Sequence, residues 1–323
     1  YGDGEAPSNA QDVLDCLDER LQAARSVRFG VLGFGARQYP AFCAFAAAVQ
    51  TKLLSLAQCQ EVVPYGTVDN QSVAAFLDWV KNLNKSLGVS LNIPTEQLRP
   101  VRKKGLVTFR ILEKQERGET FMLRVAFSDK LIVRSGDLLA VYPPEEAVER
   151  YYSVASLGGS ELLVVIKRMG LCSTYLRALD PKASFQGYIK ANPSFYRPEP
   201  TRPVLFIANG TGIAPFLGMA DATSTLYWGG RQSADFEIFA PYFQDTTTRL
   251  VFSREFGEPA YVQELVVRHQ AEVLGLLRSG GSIMICGSLT MLRGVLAVLA
   301  ELVEDQGQWS SLIEEGRIVS DCY

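Results

Sequence analysis

The sequence predicts an α/β plus β chain. It has a partial doubly wound parallel sheet over residues 1–92, a linker over 93–104, a small antiparallel barrel over 105–201 and a parallel α/β domain over 202–323. Three observations carry this. Strand-like and helix-like periods alternate between Ala10 and Leu87, as in a doubly wound sheet. Short runs separated by turn signals at Glu116-Arg117-Gly118 and Ser135-Gly136-Asp137 follow, the pattern of a small barrel. The apolar run Val204-Leu205-Phe206-Ile207-Ala208 then feeds a glycine turn, as a strand buried on both faces does. With 323 residues the chain is longer than one core of roughly 250 residues holds, so several domains are expected.

The composition excludes several function classes. Hydrophobic residues at 47% and charged residues at 21% describe an ordinary globular protein, and a net charge of -3 gives no electrostatic reason to expect nucleic acid. The cysteines at 16, 43, 59, 172, 286 and 322 have no close pair of the kind that suits zinc or a redox dithiol, so reduced thiols in a cytoplasmic setting are expected. A single histidine, His269, argues against a metal site and a serine-histidine triad. No apolar run is long enough to span a bilayer. The chain opens on Tyr1-Gly2-Asp3-Gly4, which reads as a loop after a strand, and these residues are expected to be part of a longer protein.

Taken in order, Val13, Leu14, Leu17 and Leu21 recur at helical spacing between Ala10 and Ala24. Arg28 to Phe34 is expected to be a buried strand running into Gly33-Phe34-Gly35-Ala36-Arg37-Gln38-Tyr39-Pro40. There the glycines permit a tight turn, and Tyr39 is presented at the carboxyl end of the strand, where open α/β sheets bind ligands. A helix is expected over Phe42 to Ala57, a short strand over Glu61 to Tyr65 and a third helix over 71–87. Pro94, Pro100 and Arg102-Lys103-Lys104 mark the linker. Barrel strands are expected at 105–113, 120–127, 138–142 and Leu162 to Arg168, with the extended Arg150-Tyr151-Tyr152-Ser153 among them. Strands at Ser224 to Trp228, Arg249 to Ser253 and Ser282 to Cys286, with helices between, complete the last sheet.

Within this frame a few residues carry chemistry. In an extended segment Arg150 and Tyr152 share one face and Ser153 takes the other. That suits a flat, anionic cofactor, with the guanidinium on a phosphate, the ring against a ring system and the hydroxyl at a reacting atom; it also suits a plain structural strand. Gly170, Cys172 and Ser173 open a helix whose N-terminal N–H groups favour an anion, or they simply cap it. Gly210-Thr211-Gly212 after a buried strand leaves room for a phosphate beside the backbone. Ser253-Arg254 at a strand end, with Tyr261 and Gln263 nearby, offers the hydroxyl and guanidinium that a ribose 2'-phosphate requires.

These strings resemble the diflavin reductase family, which includes sulfite reductase flavoproteins and the reductase part of nitric oxide synthases, and its ferredoxin-NADP reductase module. The resemblance implies a flavodoxin-like first domain in which Tyr1, Gly2 and Tyr39 contact FMN. It implies a barrel holding FAD through Arg150, Tyr152, Ser153, Gly170, Cys172, Ser173 and Tyr323, and a last domain holding NADPH through Gly210, Thr211, Gly212, Ser253, Arg254, Tyr261 and Gln263. Ser153, Cys286, Asp321 and the terminal ring of Tyr323 are then the residues of hydride transfer. The family's lysine two positions before the tyrosine is Pro259 here, and its serine/threonine phosphate loop belongs to an earlier strand that this sequence does not contain. The barrel has no room for the family's helical connecting segment, and this compact form resembles the reductase tails fused to PepSY-type bacterial membrane proteins. Gly170 to Leu176 and Ala191-Asn192-Pro193-Ser194-Phe195 fit that comparison.

The implied activity takes hydride from NADPH to FAD and passes single electrons through FMN to a haem or iron-containing acceptor. The implied setting is cytoplasmic, with a tether to the inner membrane, or a membrane domain of the same protein as partner, supplied by a segment before Tyr1. Two alternatives stand beside it: an FAD-only NADPH reductase with a vestigial flavodoxin-like half, and a redox-inactive nucleotide-binding docking module.

Overall fold

The computed structural model describes residues 6, 10, 13–21, 26–35, 37, 41–69, 72–91, 93, 105–128, 131–143, 148–199, 202–255, 260–303 and 306–323. The chain divides into two compact units, Tyr1–Val101 and Arg102–Tyr323.

The first unit contains α1 (Val13–Leu21), β1 (Val27–Phe29), β2 (Leu32–Gly35), α2 (Ala44–Leu54), β3 (Cys59–Glu61), β4 (Gly66–Asp69) and α3 (Val73–Leu87). β1 pairs with β3 and β2 with β4, both in parallel. The continuous strand expected over Arg28 to Phe34 is therefore interrupted, and of the one expected over Glu61 to Tyr65 only Glu61 is strand, the rest falling in the gap between β3 and β4. Gly30 shows why: a Cβ there would lie 2.3 Å from Val63 and 3.2 Å from the Trp79 ring, so both side chains press into the break. Phe34, expected inside, is 55% exposed. Gly33 faces α2, so the period of two sends Phe34 to the other face, where Phe76 of α3 covers it only in part at 6.3 Å between ring centroids. Helix α3 forms where expected because Ser72 Oγ accepts the Ala75 N–H and Gly88, at φ 66°, ends it. Tyr1, Gly2 and Tyr39 lie outside the described residues.

The second unit begins with a closed barrel of β5 (Val107–Arg117), β6 (Thr120–Ala126), β7 (Leu138–Val141), β8 (Arg150–Ser156), β9 (Glu161–Lys167) and β10 (Ser184–Lys190), with α4 (Leu171–Ala178) between β9 and β10. Strand order around the barrel is β10-β5-β6-β9-β8-β7. The alternation of β5 to β9 sends Phe109, Ile111, Leu123, Val154 and Val164 inward, and α4 adds Cys172 and Leu176 to the same core. Strand β10 was not expected from the sequence. It joins β5 to β7 and so removes both free edges.

The parallel sheet that follows holds β11 (Val204–Asn209), β12 (Ser224–Gly230), β13 (Thr247–Phe252), β14 (Ser282–Gly287) and β15 (Ile318–Cys322), in the order β13-β12-β11-β14-β15. Successive residues enter two different cores. Leu205, Ile207, Ile283 and Ile285 pack with α5 (Val262–Arg268), α6 (Gln270–Arg278), α7 (Leu289–Leu302) and α8 (Gln306–Glu314). Phe206, Ala208, Met284 and Cys286 pack instead with Met122, Ala155, Leu163 and Val165 of the barrel. Barrel and sheet thus share one continuous core, which fixes the two sets of candidate residues relative to each other. The segment Gly210–Gly218, expected to turn into a helix, is a 3-10 helix containing Pro215, and Phe216 stacks on Phe206 at 4.5 Å. No helix among the described residues is long and apolar enough to cross a membrane.

Candidate active site

The sheet order places a topological switch between β11 and β14, since the chain leaves β11 toward β12 and β13 and later returns on its other side. Ligands of open α/β sheets bind at the carboxyl ends of such strands. Asn209, at the end of β11, ties the two ends together: its Oδ1 accepts the Ser288 N–H at 2.9 Å and its Nδ2 donates to Ser288 Oγ at 3.0 Å. The sequence reading did not single out Asn209 for this.

Five predicted residues converge there. Asp321 stands opposite Cys286 in the β14–β15 register, and Ser153 Oγ, coming from the barrel, donates to Asp321 Oδ2 at 3.2 Å. The Tyr323 N–H donates to the Gly287 carbonyl at 2.9 Å, while its hydroxyl lies 2.9 Å from Thr211 Oγ1. The terminal tyrosine is held at both ends, yet the residue is 65% exposed. Burial raises the Asp321 carboxyl above its usual range, partly offset by the Ser153 hydroxyl. Burial also pushes the Cys286 thiol well up, reinforced by the Asp321 and Cys322 charges. Cys286 is wholly enclosed and neutral, so it can shape the site but is no thiolate nucleophile.

On the barrel, Arg150 Nη1 donates to the carbonyls of Val148 and Glu149 at 3.3 and 3.2 Å. Tyr152 is half-buried against the barrel core, and its phenol is raised by burial and by the neighbouring Cys172, so it stays protonated. Ser173 is 5% exposed. Its Oγ accepts the N–H groups of Met169 and Gly170 and donates to the Gly170 carbonyl, at 2.9, 3.1 and 2.9 Å. Its one proton is committed to the turn, so a direct Ser173 bond to a phosphate, as expected, gives way to a role in shaping the loop. The cationic and N–H groups at this end of the barrel are the Arg150 guanidinium, which is itself engaged within the barrel, and the first-turn N–H groups of α4.

A cleft of about 790 Å³ opens beside the turn after β11. Its lining contains the predicted Gly210, Thr211, Ser253, Arg254, Tyr261 and Gln263. Gly212 is buried beneath the turn against the Cys286 carbonyl. Pro259 lies outside the described residues. Arg231, which follows β12 at the same edge of the sheet, also lines the cleft and was missed, although Gly229-Gly230 before it is a turn signal of the kind used elsewhere. Arg117 and Lys167 of the barrel form part of the lining as well.

No protein-family model matches the chain. Among curated proteins it is similar to NADPH oxidoreductase A of Dictyostelium discoideum, 32% identical over 180 residues, covering 47% of this chain and 28% of that protein. It is similar to the sulfite reductase [NADPH] flavoprotein alpha-component of Bacillus subtilis, 27% identical over 162 residues, covering 45% of this chain and 27% of that protein. It is similar to nitric oxide synthase 3 of Sus scrofa, 32% identical over 176 residues, covering 46% of this chain and 14% of that protein. The chain therefore spans less than a third of the length of these relatives. Among solved structures, ferredoxin-NADP+ reductase from Plasmodium falciparum has a TM-score of 0.57 at 20% identity, covering 68% of this chain and 97% of that one. The same reductase with 2'P-AMP has a TM-score of 0.55 at 19% identity, covering 68% and 97%. The likeness is one of fold: barrel and parallel sheet together make a ferredoxin-NADP+ reductase-like module.

Proposed function

We propose, from a ferredoxin-NADP+ reductase-like module whose sequence is similar to diflavin reductases, that this chain is the reductase end of an NADPH-dependent flavin oxidoreductase. FAD would be held on the barrel by Arg150, Tyr152 and the start of α4, and NADPH in the cleft that begins at Gly210-Thr211-Gly212. The observation that carries the reading is the Ser153–Asp321 hydrogen bond. It joins the barrel strand that would hold the flavin to the sheet edge that would receive the nicotinamide.

The protein's part is orientation and electrostatics. Bound FAD supplies the capacity to take up a hydride and release its electrons singly. Ser153 presents a hydroxyl fixed by Asp321, and Asp321 places a carboxyl beside the position where positive charge develops on a nicotinamide. Cys286 fills the floor of the site without ionising. Tyr323 would exclude water from the flavin face until a nicotinamide takes its place, and the move would break the contact of its hydroxyl with Thr211. No general base is required.

Beyond the module, we propose that electrons pass through FMN, toward which the first unit would contribute Tyr1, Gly2 and Tyr39, to a haem or ferric-iron acceptor. This rests on the diflavin resemblance and on the sequence similarity to sulfite reductase flavoprotein and nitric oxide synthase. Flavin extraction from the purified protein, with FAD and FMN quantified, and NADPH oxidation with ferricyanide test both parts. FAD with NADPH-dependent ferricyanide reduction supports the module, and FMN in addition supports the relay. FAD alone favours the FAD-only alternative, and a colourless protein that leaves NADPH unoxidised refutes the reading.

A further inference from the structure

We infer that Asn209 is a positioning residue for the dinucleotide: its carboxamide turns the Ser288 hydroxyl toward the cleft, as a hydrogen-bond donor to the diphosphate bridge. The inference rests on the NADPH reading above and adds to it two residues outside the glycine turn. The directions of the bonds at Ser288 carry it.

Asn209 is the last residue of β11, and Ser288 is the N-cap of α7, just past the end of neighbouring β14. Asn209 Oδ1 accepts the Ser288 N–H at 2.9 Å and its Nδ2 donates to Ser288 Oγ at 3.0 Å. A backbone N–H can only donate, so it fixes which end of the carboxamide is oxygen and directs the amide nitrogen to Oγ. Gly287 keeps the group in place. A Cβ there would lie 2.1 Å from Asn209 Oδ1, so the carboxamide packs directly against this glycine.

Ser288 Oγ accepts a second bond, from the Met291 N–H at 3.3 Å, which caps α7. A hydroxyl oxygen has two lone pairs and one proton. Both lone pairs are thus taken, and what Oγ has left to offer is its proton. Among the described residues that proton goes to no acceptor. Ser288 lines the cleft with Asn209, Gly210 and Thr211, so the proton is available to a ligand there. The other candidate hydroxyls differ: Ser173 spends its proton on its own turn, and Thr211 shares its hydroxyl with that of Tyr323 at 2.9 Å.

The place of this donor selects its acceptor. Ser288 stands in the crevice at the carboxyl ends of β11 and β14. On one side of it are Ser253, Arg254 and Tyr261, where the adenosine half of the nucleotide would lie, and on the other is Cys286, where the nicotinamide would lie. The diphosphate bridge joins those halves and must pass between them. Its anionic oxygens also suit the positive end of α7, whose first-turn N–H groups open on the same crevice.

The test is calorimetric titration of the FAD-loaded protein with NADP+ and with 2'-AMP, which carries the adenosine and the 2'-phosphate but no diphosphate. Glycine is tolerated at an N-cap, so Ser288→Gly is expected to melt close to the wild type. It should weaken NADP+ about tenfold, as loss of one charge-assisted bond does, and leave 2'-AMP unchanged. Ser288→Thr, which keeps the hydroxyl, should restore most of the NADP+ affinity. Asn209→Asp keeps both bridging bonds but reverses one, because its second oxygen takes the Ser288 proton. It should weaken NADP+ about tenfold in the wild-type background and little in Ser288→Gly, where no hydroxyl remains to be turned. An equal loss in both backgrounds would be the added charge acting alone and would overturn the inference, as would wild-type NADP+ affinity in Ser288→Gly or a matching loss for 2'-AMP. A wild-type protein that binds neither ligand would sink the NADPH reading itself, and this inference with it.

Discussion

Replacing Gly212 by alanine probes the geometry of the nucleotide turn more sharply than any deletion. A Cβ at Gly212 would meet the Cys286 carbonyl oxygen at 2.2 Å, its carbon at 2.5 Å and Gly287 Cα at 2.6 Å. All three are backbone atoms of β14 and cannot rotate away. The shortfall against ordinary contact is roughly 1 Å, so the turn must lift off the end of β14 by about that much. Overpacking of this kind costs about 1–3 kcal/mol, a fall of roughly 5 °C in melting temperature for a unit of this size. The displacement also falls between the Thr211 turn and the Ser153, Cys286, Asp321 cluster, where misplacement by about 1 Å slows a positioned reaction on the order of a hundredfold. Gly275→Ala is the control. It lies within α6 with nothing within 4 Å, so a Cβ there meets no atom and favours the helix by about 1 kcal/mol. Stopped-flow flavin reduction by NADPH with parallel thermal melts should show Gly212→Ala severely slowed and Gly275→Ala at the wild-type rate. A Gly212→Ala protein that reduces its flavin at the wild-type rate, or a Gly275→Ala protein slowed as much as it, would refute the reasoning.

Three further outcomes are expected. Ser153→Ala removes the 3.2 Å bond to Asp321 and should slow flavin reduction by roughly ten- to a hundredfold while FAD content is kept; wild-type stopped-flow rates would contradict the role. Asp221 is held down to about 2 by Arg197, which donates to both its oxygens at 2.6 and 2.8 Å. A depressed carboxyl stabilises above its ordinary value of 3.8 and loses that contribution as pH falls through about 2. The stability deficit of Asp221→Asn in urea titrations should therefore shrink on acidification, and a constant deficit would count against the ion pair. For Asp321 the sign reverses. Its raised value means that the folded state binds the proton more tightly, so its burial costs stability as pH rises above 3.8. Asp321→Asn should melt higher than wild type at pH 7, with the gap closing toward pH 4, and a gap that widens instead would contradict a buried carboxyl that Ser153 compensates only in part.

The parts of this molecule that could be read from the sequence are those whose structure is decided within a few residues. The apolar run of β11 followed by Gly210-Thr211-Gly212, and the cap of α3 by Ser72, are local instructions, and the chain follows them. What escaped was decided by contacts between distant segments. Strand β10 carries Gln186 and Gly187 between apolar residues and becomes a strand because β5 and β7 leave edges for it to close. Ser173 looks like a phosphate ligand until its turn is seen to use its one proton. The cleft shows the same division. Ser253-Arg254 announces itself at a strand end, whereas Lys167 ends a barrel strand with nothing around it to suggest a nucleotide. Its place in the cleft lining depends on the register that sets it beside Thr120 and on the core that locks Leu163 and Val165 of the same strand against the parallel sheet. Leu163→Ala, which opens a cavity where β9 meets the sheet, should therefore cost about 2–5 kcal/mol in urea titrations and weaken nucleotide binding although no residue of the cleft is replaced; a variant as stable as the wild type would contradict the shared core.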